Sequence, residues 1–113
     1  MSNDPSLLPD LTVILPTLNE ASNLTTLIPQ LFANLQGSVS VLKVFVVDDG
    51  STDATNNVID NLQSAHGDLR LIHRKNQEPS LPNSIQDGIQ QCNTELIAWM
   101  DAMVRCSPKF YLA

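Results

Sequence analysis

The sequence predicts an α/β fold built on a doubly wound, mainly parallel sheet. Short apolar segments alternate along the chain with segments whose apolar residues recur at helical spacing, and this alternation specifies right-handed strand–helix–strand crossovers. One predicted strand, Val41–Val47, is apolar on both faces, as expected of a central strand in a parallel sheet. At 113 residues the chain is one domain at most, which we place at 11–113 after an N-terminal tail at 1–10.

The first strand and the first helix are bounded by proline and glycine. The strand is predicted at Leu11–Leu15, which is short and β-branched and is closed by Pro16. In the helix that follows, Asn23 is a candidate cap, Gly37 is the terminator, and Pro29 predicts a kink or a late start. The apolar face of this helix is formed by Leu24, Leu27, Ile28, Leu31, Phe32 and Leu35.

The next two elements are a second helix and a third strand. Asp53 can cap the helix and Gly67 is placed to end it. Its predicted apolar side consists of Ala54, Val58, Leu62 and Ala65. Leu69–His73 then reads as the third strand, a short apolar segment after the glycine.

A third helix and a fourth strand complete the alternation. Pro82 is tolerated in the first turn of the helix, and Glu95–Met100 is the predicted strand. The helix face is predicted to consist of Leu81, Ile85, Ile89 and Cys92. Ser107 and Pro108 have the pattern of a helix start, but five residues are too few for a stable helix, so we expect a chain cut within an element.

Composition and charge exclude several classes of protein. The formal net charge is −6 with only six lysines and arginines, which argues against nucleic acid as a partner. The first ten residues lack the pattern of a signal peptide, and no apolar stretch approaches the roughly 20 residues that span a bilayer, so a cytoplasmic protein is expected. Cys92 and Cys106 are expected to be free thiols, and His66 and His73 lack metal-ligand spacing.

Polar clusters follow three of the predicted strands, at Pro16–Glu20, at Asp48–Ser51 and at Asp101. Ligands of doubly wound sheets bind beyond the carboxyl ends of the strands. Adjacent carboxylates at Asp48 and Asp49 repel each other unless a cation or a hydrogen-bond donor engages them, so a base, a ribose or a metal is a reasonable ligand. The alternative is a hydrogen-bonded turn that caps the next helix through Ser51 and Asp53.

Three segments resemble, in order, the successive motifs of family 2 glycosyltransferases of the GT-A fold. They are Val13–Glu20 (VILPTLNE), Val46–Asp53 (VVDDGSTD) and Ala98–Ala102 (AWMDA). The similarity is nearest to the polyprenyl-phosphate and dolichyl-phosphate sugar transferases and extends from Leu11 to about Asp101. The resemblance implies that 11–113 is the Rossmann-like, nucleotide-sugar-binding part of such an enzyme, and that this part is truncated.

The resemblance also implies an activity and a donor site. The activity is inverting transfer of a hexose from a nucleoside-diphosphate sugar of the UDP or GDP type to a polyprenyl phosphate or another acceptor. In the site, the first motif would line the nucleoside, the Asp48/Asp49 pair would contact the base or ribose, and Asp101 would lie near the diphosphate and sugar. The residues that the resemblance assigns to this site are Pro16, Leu18, Glu20, Asp48, Asp49 and Asp101. The general base is expected beyond residue 113, so transfer by this chain alone is not expected.

A magnesium or manganese ion is implied, because a leaving nucleoside diphosphate develops negative charge that a divalent cation stabilises. The family's Asp-x-Asp reads Asp101-Ala102-Met103 here, and the thioether of Met103 suits neither ion. Asp101 is therefore the one candidate metal ligand of the motif, and the metal site is in doubt. Arg105 is either a substitute positive charge beside the diphosphate or a solvated side chain.

Several candidates also have structural interpretations. Leu18 could be a core residue, Glu20 a carboxylate favouring a helix N-terminus, and Asp101 a helix cap. For Arg74-Lys75 a surface loop is favoured over an approach to the diphosphate, and Trp99 is expected in the core.

Two other classes of protein remain as alternatives. A noncatalytic nucleotide-binding or interaction module with the same ancestry is favoured by Met103 and by the early end of the chain. A phosphoacceptor receiver domain fits less well, because the acidic pair follows the second strand and Lys109 has no preceding strand. We also expect a homo-oligomer, since apolar surface on the first helix and two strands would lack a partner, and a full-length enzyme at the inner face of a membrane.

Overall fold

The computed structural model describes residues 8–74, 78–100 and the backbone of 111–112. Its elements are β1 (Asp10–Thr17), α1 (Ala21–Leu35), β2 (Val41–Asp48), α2 (Thr55–Gln63), β3 (Leu69–His73), α3 (Leu81–Gln90), β4 (Leu96–Trp99) and β5 (Tyr111–Leu112). They form a five-stranded sheet in the order β3-β2-β1-β4-β5. The first four strands are parallel and β5 runs antiparallel to β4. The predicted α/β fold with a mainly parallel sheet is confirmed.

The helices cover both faces of this sheet, which confirms the doubly wound arrangement. Successive residues of a strand point to opposite faces. Val13 and Leu15 of β1 therefore pack under α1 and α2, whereas Ile14 joins Phe45 and Val47 in a second cluster. Helix α3 covers that second cluster, to which Ile89 contributes. The motifs at the strand ends are thus carried by a sheet that is buried on both sides.

Strand β1 continues through Pro16, two residues further than the sequence predicts. On the side of β2, the carbonyl of Thr17 accepts from the backbone N–H of Asp49. On the side of β4, the carbonyl of Ile14 accepts from the backbone N–H of Met100. Backbone groups of alternate residues point to opposite neighbours, so the nitrogen of Pro16 faces the β4 side. Pairing with β4 ends at Ile14 within the described residues. Proline therefore removes no ladder bond there.

Helix α1 begins earlier than the proline suggests. It starts at Ala21, and Asn23 is not its cap: the Asn23 side-chain amide donates to Oε2 of Glu20 over 2.6 Å. Pro29 lies inside the continuous helix, so the expected late start is wrong. Gly37 adopts a φ of +90°, the left-handed conformation typical of the residue after a helix, as its predicted terminating role requires.

The predicted faces of α2 and α3 are confirmed in part, because Val58, Leu62 and Ile89 pack against the core, but the most deeply buried residues of both helices lie beside them. In α2 the buried residues are Thr55 and Ile59. In α3 the buried residues are Ser84 and Gly88, while Leu81, which was predicted on the core face, is 50% exposed. Burial of small residues brings the axis of α3 close to the sheet, which leaves the larger apolar side chains at the flanks of the contact.

Some sequence predictions lie outside the described residues. These concern Lys75, Asp101, Met103, Arg105, Cys106 and the helix start at Ser107-Pro108. Tyr111–Leu112, after that predicted start, pairs as a strand with Ala98 and Trp99. Among the described helices, none has the length and apolar character needed to cross a membrane.

Candidate functional site

The first two motifs meet at the carboxyl end of the sheet through Asn19. This residue adopts a φ of +55°, a left-handed conformation that asparagine tolerates better than most residues. Its Oδ1 accepts from the backbone N–H groups of Thr52 at 2.8 Å and Asp53 at 3.2 Å, and its own N–H donates to Oγ of Ser51 at 2.9 Å. A single side chain therefore fixes the first motif against the second.

Asp53 strengthens the same junction from the other side. Its Oδ2 accepts from the backbone N–H of Ala21 at 3.3 Å, and its Oδ1 accepts from the backbone N–H and the hydroxyl of Thr55. The hydroxyl bond from Thr55 is the largest cause that lowers the pKa of the Asp53 carboxyl below its ordinary value. Asp53 thus forms a turn before α2, whose N-cap residue is Ala54 rather than Asp53.

Asp48 is a buried carboxylate with two partners inside the chain. Its Oδ1 accepts from the backbone N–H of Ser51 at 3.0 Å, across a turn in which Gly50 has a φ of +102°. Its Oδ2 lies 3.4 Å from Nδ1 of His73 at the end of β3. The hydrogen-bonded turn predicted as the structural alternative is therefore present.

Asp49 is held by an arginine that the sequence analysis interpreted as a surface residue. Arg74 is only 4% exposed, so that interpretation is wrong. Its Nη1 donates to Oδ1 of Asp49, and its Nε donates to Oδ2 of Asp87 in α3 at 3.0 Å. Oδ2 of Asp49 accepts from the backbone N–H of Ser80, the N-cap of α3, at 2.6 Å. The guanidinium thus offsets the repulsion between Asp48 and Asp49. From the sequence, a ligand was expected to offset it.

A cleft of about 290 Å³ opens between the first motif and the start of α3. We call it the strand-end cleft, and it is lined by Pro16, Thr17, Leu18, Glu20, Asp49, Pro79, Ser80, Leu81 and Ser84. Leu18 is 42% exposed, so its interpretation as a core residue is wrong. Pro16, Leu18, Glu20 and Asp49 from the predicted donor site share this cleft, whereas Asp48 is not part of its lining and Asp101 is outside the described residues.

The lining of the strand-end cleft is apolar and acidic. Leu18 and Leu81 are exposed beside it, and its ionisable members are Glu20 and Asp49. No lysine or arginine belongs to the lining formed by the described residues. Such a surface suits an uncharged group with N–H or hydroxyl donors better than it suits a phosphate.

The described residues form no cluster of three or more histidine, cysteine or acidic side chains able to hold a metal ion. Asp48 and Asp49 also have their oxygens engaged by Ser51, His73, Arg74 and Ser80. This donor set does not fit a divalent cation, which needs carboxylate oxygens free to coordinate it.

A larger cavity, of about 560 Å³, lies at the opposite edge of the sheet. Its walls come from the carboxyl ends of α1 and α2 and the start of β2, and they include the stacked rings of Phe32 and His66, whose centroids are 4.4 Å apart. None of the predicted site residues that the structure describes belongs to its lining. The sequence motifs therefore identify the smaller cleft as the candidate site, in agreement with the general location of ligands in doubly wound sheets.

Three curated relatives are similar in sequence. The pre-mycofactocin glycosyltransferase of Mycobacterium tuberculosis is 32% identical over 96 residues, which is 84% of this chain and 18% of the relative. Glycosyltransferase AglE of Haloferax volcanii is 30% identical over 103 residues, covering 91% and 33%. The GalNAc(5)-diNAcBac-PP-undecaprenol beta-1,3-glucosyltransferase of Campylobacter jejuni is 26% identical over 95 residues, covering 83% and 29%. The chain spans about a third or less of their length.

Solved structures share the fold over most of this chain. A mannosyltransferase from Pyrobaculum calidifontis, PcManGT, in complex with GDP-Man and Mn²⁺, superposes with a TM-score of 0.72 at 25% identity, covering 90% of this chain and 30% of its own. S. aureus TarS 1–349 in complex with UDP gives 0.72 at 24% identity, covering 82% and 27%. The described fold is therefore that of GT-A glycosyltransferases.

The family comparison covers all three motifs. The family model described as "Glycosyl transferase family 2" matches residues 12–112, which include all strands except the first two residues of β1, the junction at Asn19 and the strand-end cleft. This chain belongs to glycosyl transferase family 2.

Proposed function

We propose that this chain is the donor-binding part of an inverting glycosyltransferase that uses a nucleoside-diphosphate sugar of the UDP or GDP type. The observation that carries the proposal is the strand-end cleft, in which four residues of the resemblance-based donor site share one apolar and acidic surface. PcManGT was solved with GDP-Man and TarS with UDP, and both superpose on this chain, which supports a nucleotide sugar as the ligand.

In this proposal the nucleoside occupies the strand-end cleft. Leu18 and Pro16 supply apolar contact to the base, since both line the cleft and Leu18 is exposed. Glu20 accepts from base N–H or ribose hydroxyl groups, because only its Oε2 is engaged, by Asn23. Asp48 and Asp49 act mainly by holding the motif loop in shape, since their own partners lie within the chain.

The diphosphate and sugar would lie toward Asp101, beyond the acidic cleft. A bound magnesium or manganese ion would stabilise the charge that develops on the leaving nucleoside diphosphate. Asp101 is the ligand that we propose for it, and the Mn²⁺ in the PcManGT complex supports a divalent cation. Because Met103 supplies no hard oxygen, Arg105 is an additional candidate for contact with the diphosphate.

The acceptor is proposed to be a polyprenyl phosphate or a polyprenyl-linked sugar. The relative from Campylobacter jejuni is named for GalNAc(5)-diNAcBac-PP-undecaprenol, and this supports an acceptor of that chemistry. A second candidate function is a nucleotide-binding module without transfer activity. The observation that favours it is Met103 in place of the second carboxylate of the metal motif.

Titration calorimetry with UDP and with GDP tests the donor site. We expect one of them to bind, and Glu20→Gln to weaken that binding about three- to tenfold, since a charge-assisted hydrogen bond becomes a neutral one. Glu95→Gln is the matched control, because Glu95 is exposed and remote from the cleft, and it should bind like the natural sequence. If neither nucleotide binds at millimolar concentration, and circular dichroism shows that the sample is folded, the proposal is refuted.

A further inference from the structure

Ser84 is a buried serine with an unsatisfied hydroxyl. The residue is 0% exposed, and among the described residues its Oγ is the one buried side-chain polar atom without a hydrogen-bond partner. Leaving a buried hydroxyl unpaired costs about 1 to 3 kcal/mol. Native structures rarely retain such a group without a reason, such as a ligand that completes it.

The position of Ser84 connects this unpaired hydroxyl with the strand-end cleft. Ser84 lies in the first turns of α3 and belongs to the cleft lining, together with Leu18 and Leu81. Leu81 lies three residues earlier, on the same face of the helix, and it is half exposed. Both residues line the cleft, so a ligand that enters it meets Leu81 and Ser84 on the same wall.

The lining also indicates which part of a nucleotide Ser84 would meet. Glu20 and Asp49 make the described cleft surface acidic, and this disfavours phosphate at that position. A base is planar, uncharged and edged with carbonyl and N–H groups, so it suits apolar walls at Leu18 and Leu81. A serine hydroxyl both donates and accepts, and it can therefore pair with either kind of group on the edge of a base.

We infer that the Ser84 hydroxyl hydrogen-bonds the nucleobase of the donor and that Leu81 covers the face of the same base. This inference rests on the proposed function and extends it to α3, an element to which none of the donor-site motifs belongs. The helix thereby contributes to the affinity for a base, because the hydroxyl gains a hydrogen bond from a ligand that presents a polar edge to it.

The test is nucleotide binding by Ser84→Ala, measured by calorimetry with whichever of UDP and GDP the natural sequence binds. We expect affinity to fall about three- to tenfold, the range for one hydrogen bond, and to fall by the same factor for uridine or guanosine. The affinity for inorganic pyrophosphate, measured by competition with the nucleotide, should be the same for Ser84→Ala and for the natural sequence. Ser64→Ala is the control, because Ser64 is exposed at the end of α2 and outside the cleft.

Thermal unfolding without nucleotide shows whether Ser84 acts by contact with the base or by stabilising the fold. Ser84→Ala should leave the melting temperature unchanged or raised, since among the described residues the hydroxyl that it removes has no hydrogen-bond partner. Equal affinity of the natural sequence and Ser84→Ala would overturn the inference while the proposed function stands. An equal loss for pyrophosphate with a lowered melting temperature would also overturn it. Failure of the natural sequence to bind any nucleotide would refute both proposals.

Discussion

Arg74 is the residue on which the acidic end of β2 depends. Its guanidinium is buried and pairs with Asp49, after β2, and with Asp87 of α3, so the two carboxylates come from different elements. An isolated carboxylate is costly to bury, whereas a carboxylate in a charge-assisted pair is tolerated. Arg74 therefore links the second motif to α3 through charge rather than through apolar packing.

Replacing Arg74 with methionine should destabilise the fold by about 3 kcal/mol or more, because it leaves the buried Asp49 without its partner. Urea unfolding followed by circular dichroism measures this change. Arg70→Met is the matched control: Arg70 is exposed and lies 5.7 Å from the ring of Phe45, so about 1 kcal/mol or less is expected. Adding Asp49→Asn to Arg74→Met should recover part of the loss. Equal effects of Arg74→Met and Arg70→Met would contradict this account.

The roles of Asn19, Arg74 and Ser84 were not predictable from the sequence. Asn19 joins residues 32 to 34 positions away, and Arg74 pairs with a carboxylate 25 positions away. Periodicity and local turn patterns describe neighbours along the chain, so they carry no information on such pairings. Pro16, Leu18, Glu20 and Asp49, which the resemblance assigns to a donor site, line one cleft because the carboxyl ends of parallel strands meet at one edge of the sheet.

At the scale of elements, the strands and helices could be predicted because apolar residues repeat at regular spacing. The strand Leu69–His73 has the predicted bounds, and each described helix overlaps its predicted segment, although Ala54 and Ala65 lie outside α2 and Cys92 lies outside α3. The faces were less predictable. In α3 the contact with the sheet is made through Ser84 and Gly88, and a pattern search that follows large apolar residues places the face about one residue to the side.

Gly88→Ala tests the close approach of α3 to the sheet. A Cβ at this position would lie 2.8 Å from Cγ2 of Ile14, a fully buried side chain that has no room to move. The overpacking should cost about 1 to 3 kcal/mol, more than the helix propensity gained from alanine. Gly67→Ala is the control, since nothing lies within 4 Å of its added Cβ. Chemical denaturation gives both values, and a stabilised Gly88→Ala protein would contradict the packing described.

For the whole molecule, the structure removes one of the reasons for which a homo-oligomer was expected. The apolar residues of α1 are buried against the chain's own sheet, so they do not form the open surface from which a homo-oligomer was expected. Large exposed apolar side chains among the described residues are Leu18, Val41, Leu81 and Leu96. Two of them, Leu18 and Leu81, line the strand-end cleft, where we propose that the nucleotide binds. Association between copies therefore stays a prediction for sedimentation analysis.

Ligand binding at one edge should stabilise the whole fold, because a nucleotide that binds only the folded state shifts the unfolding equilibrium. A nucleotide at ten times its dissociation constant adds about 1.4 kcal/mol, which raises the melting temperature by several degrees in a domain of this size. This shift is a measure of metal dependence at the site proposed around Asp101. With Met103 in the second ligand position, we expect manganese to increase the shift only slightly, since one carboxylate and a diphosphate hold the ion weakly.

Met103→Asp should convert this weak dependence into a strong one by supplying a second hard oxygen two residues after Asp101. Met103→Ala is the matched control, because it removes the thioether without adding a carboxylate, and it should behave like the natural sequence. The measurement is the nucleotide-induced change in melting temperature, with manganese and with chelator, for all three sequences. A large manganese dependence in the natural sequence would contradict the prediction and would require another oxygen ligand near the end of β4. A metal-independent Met103→Asp protein would instead argue against Asp101 as a ligand, and would favour charge compensation by a side chain such as Arg105.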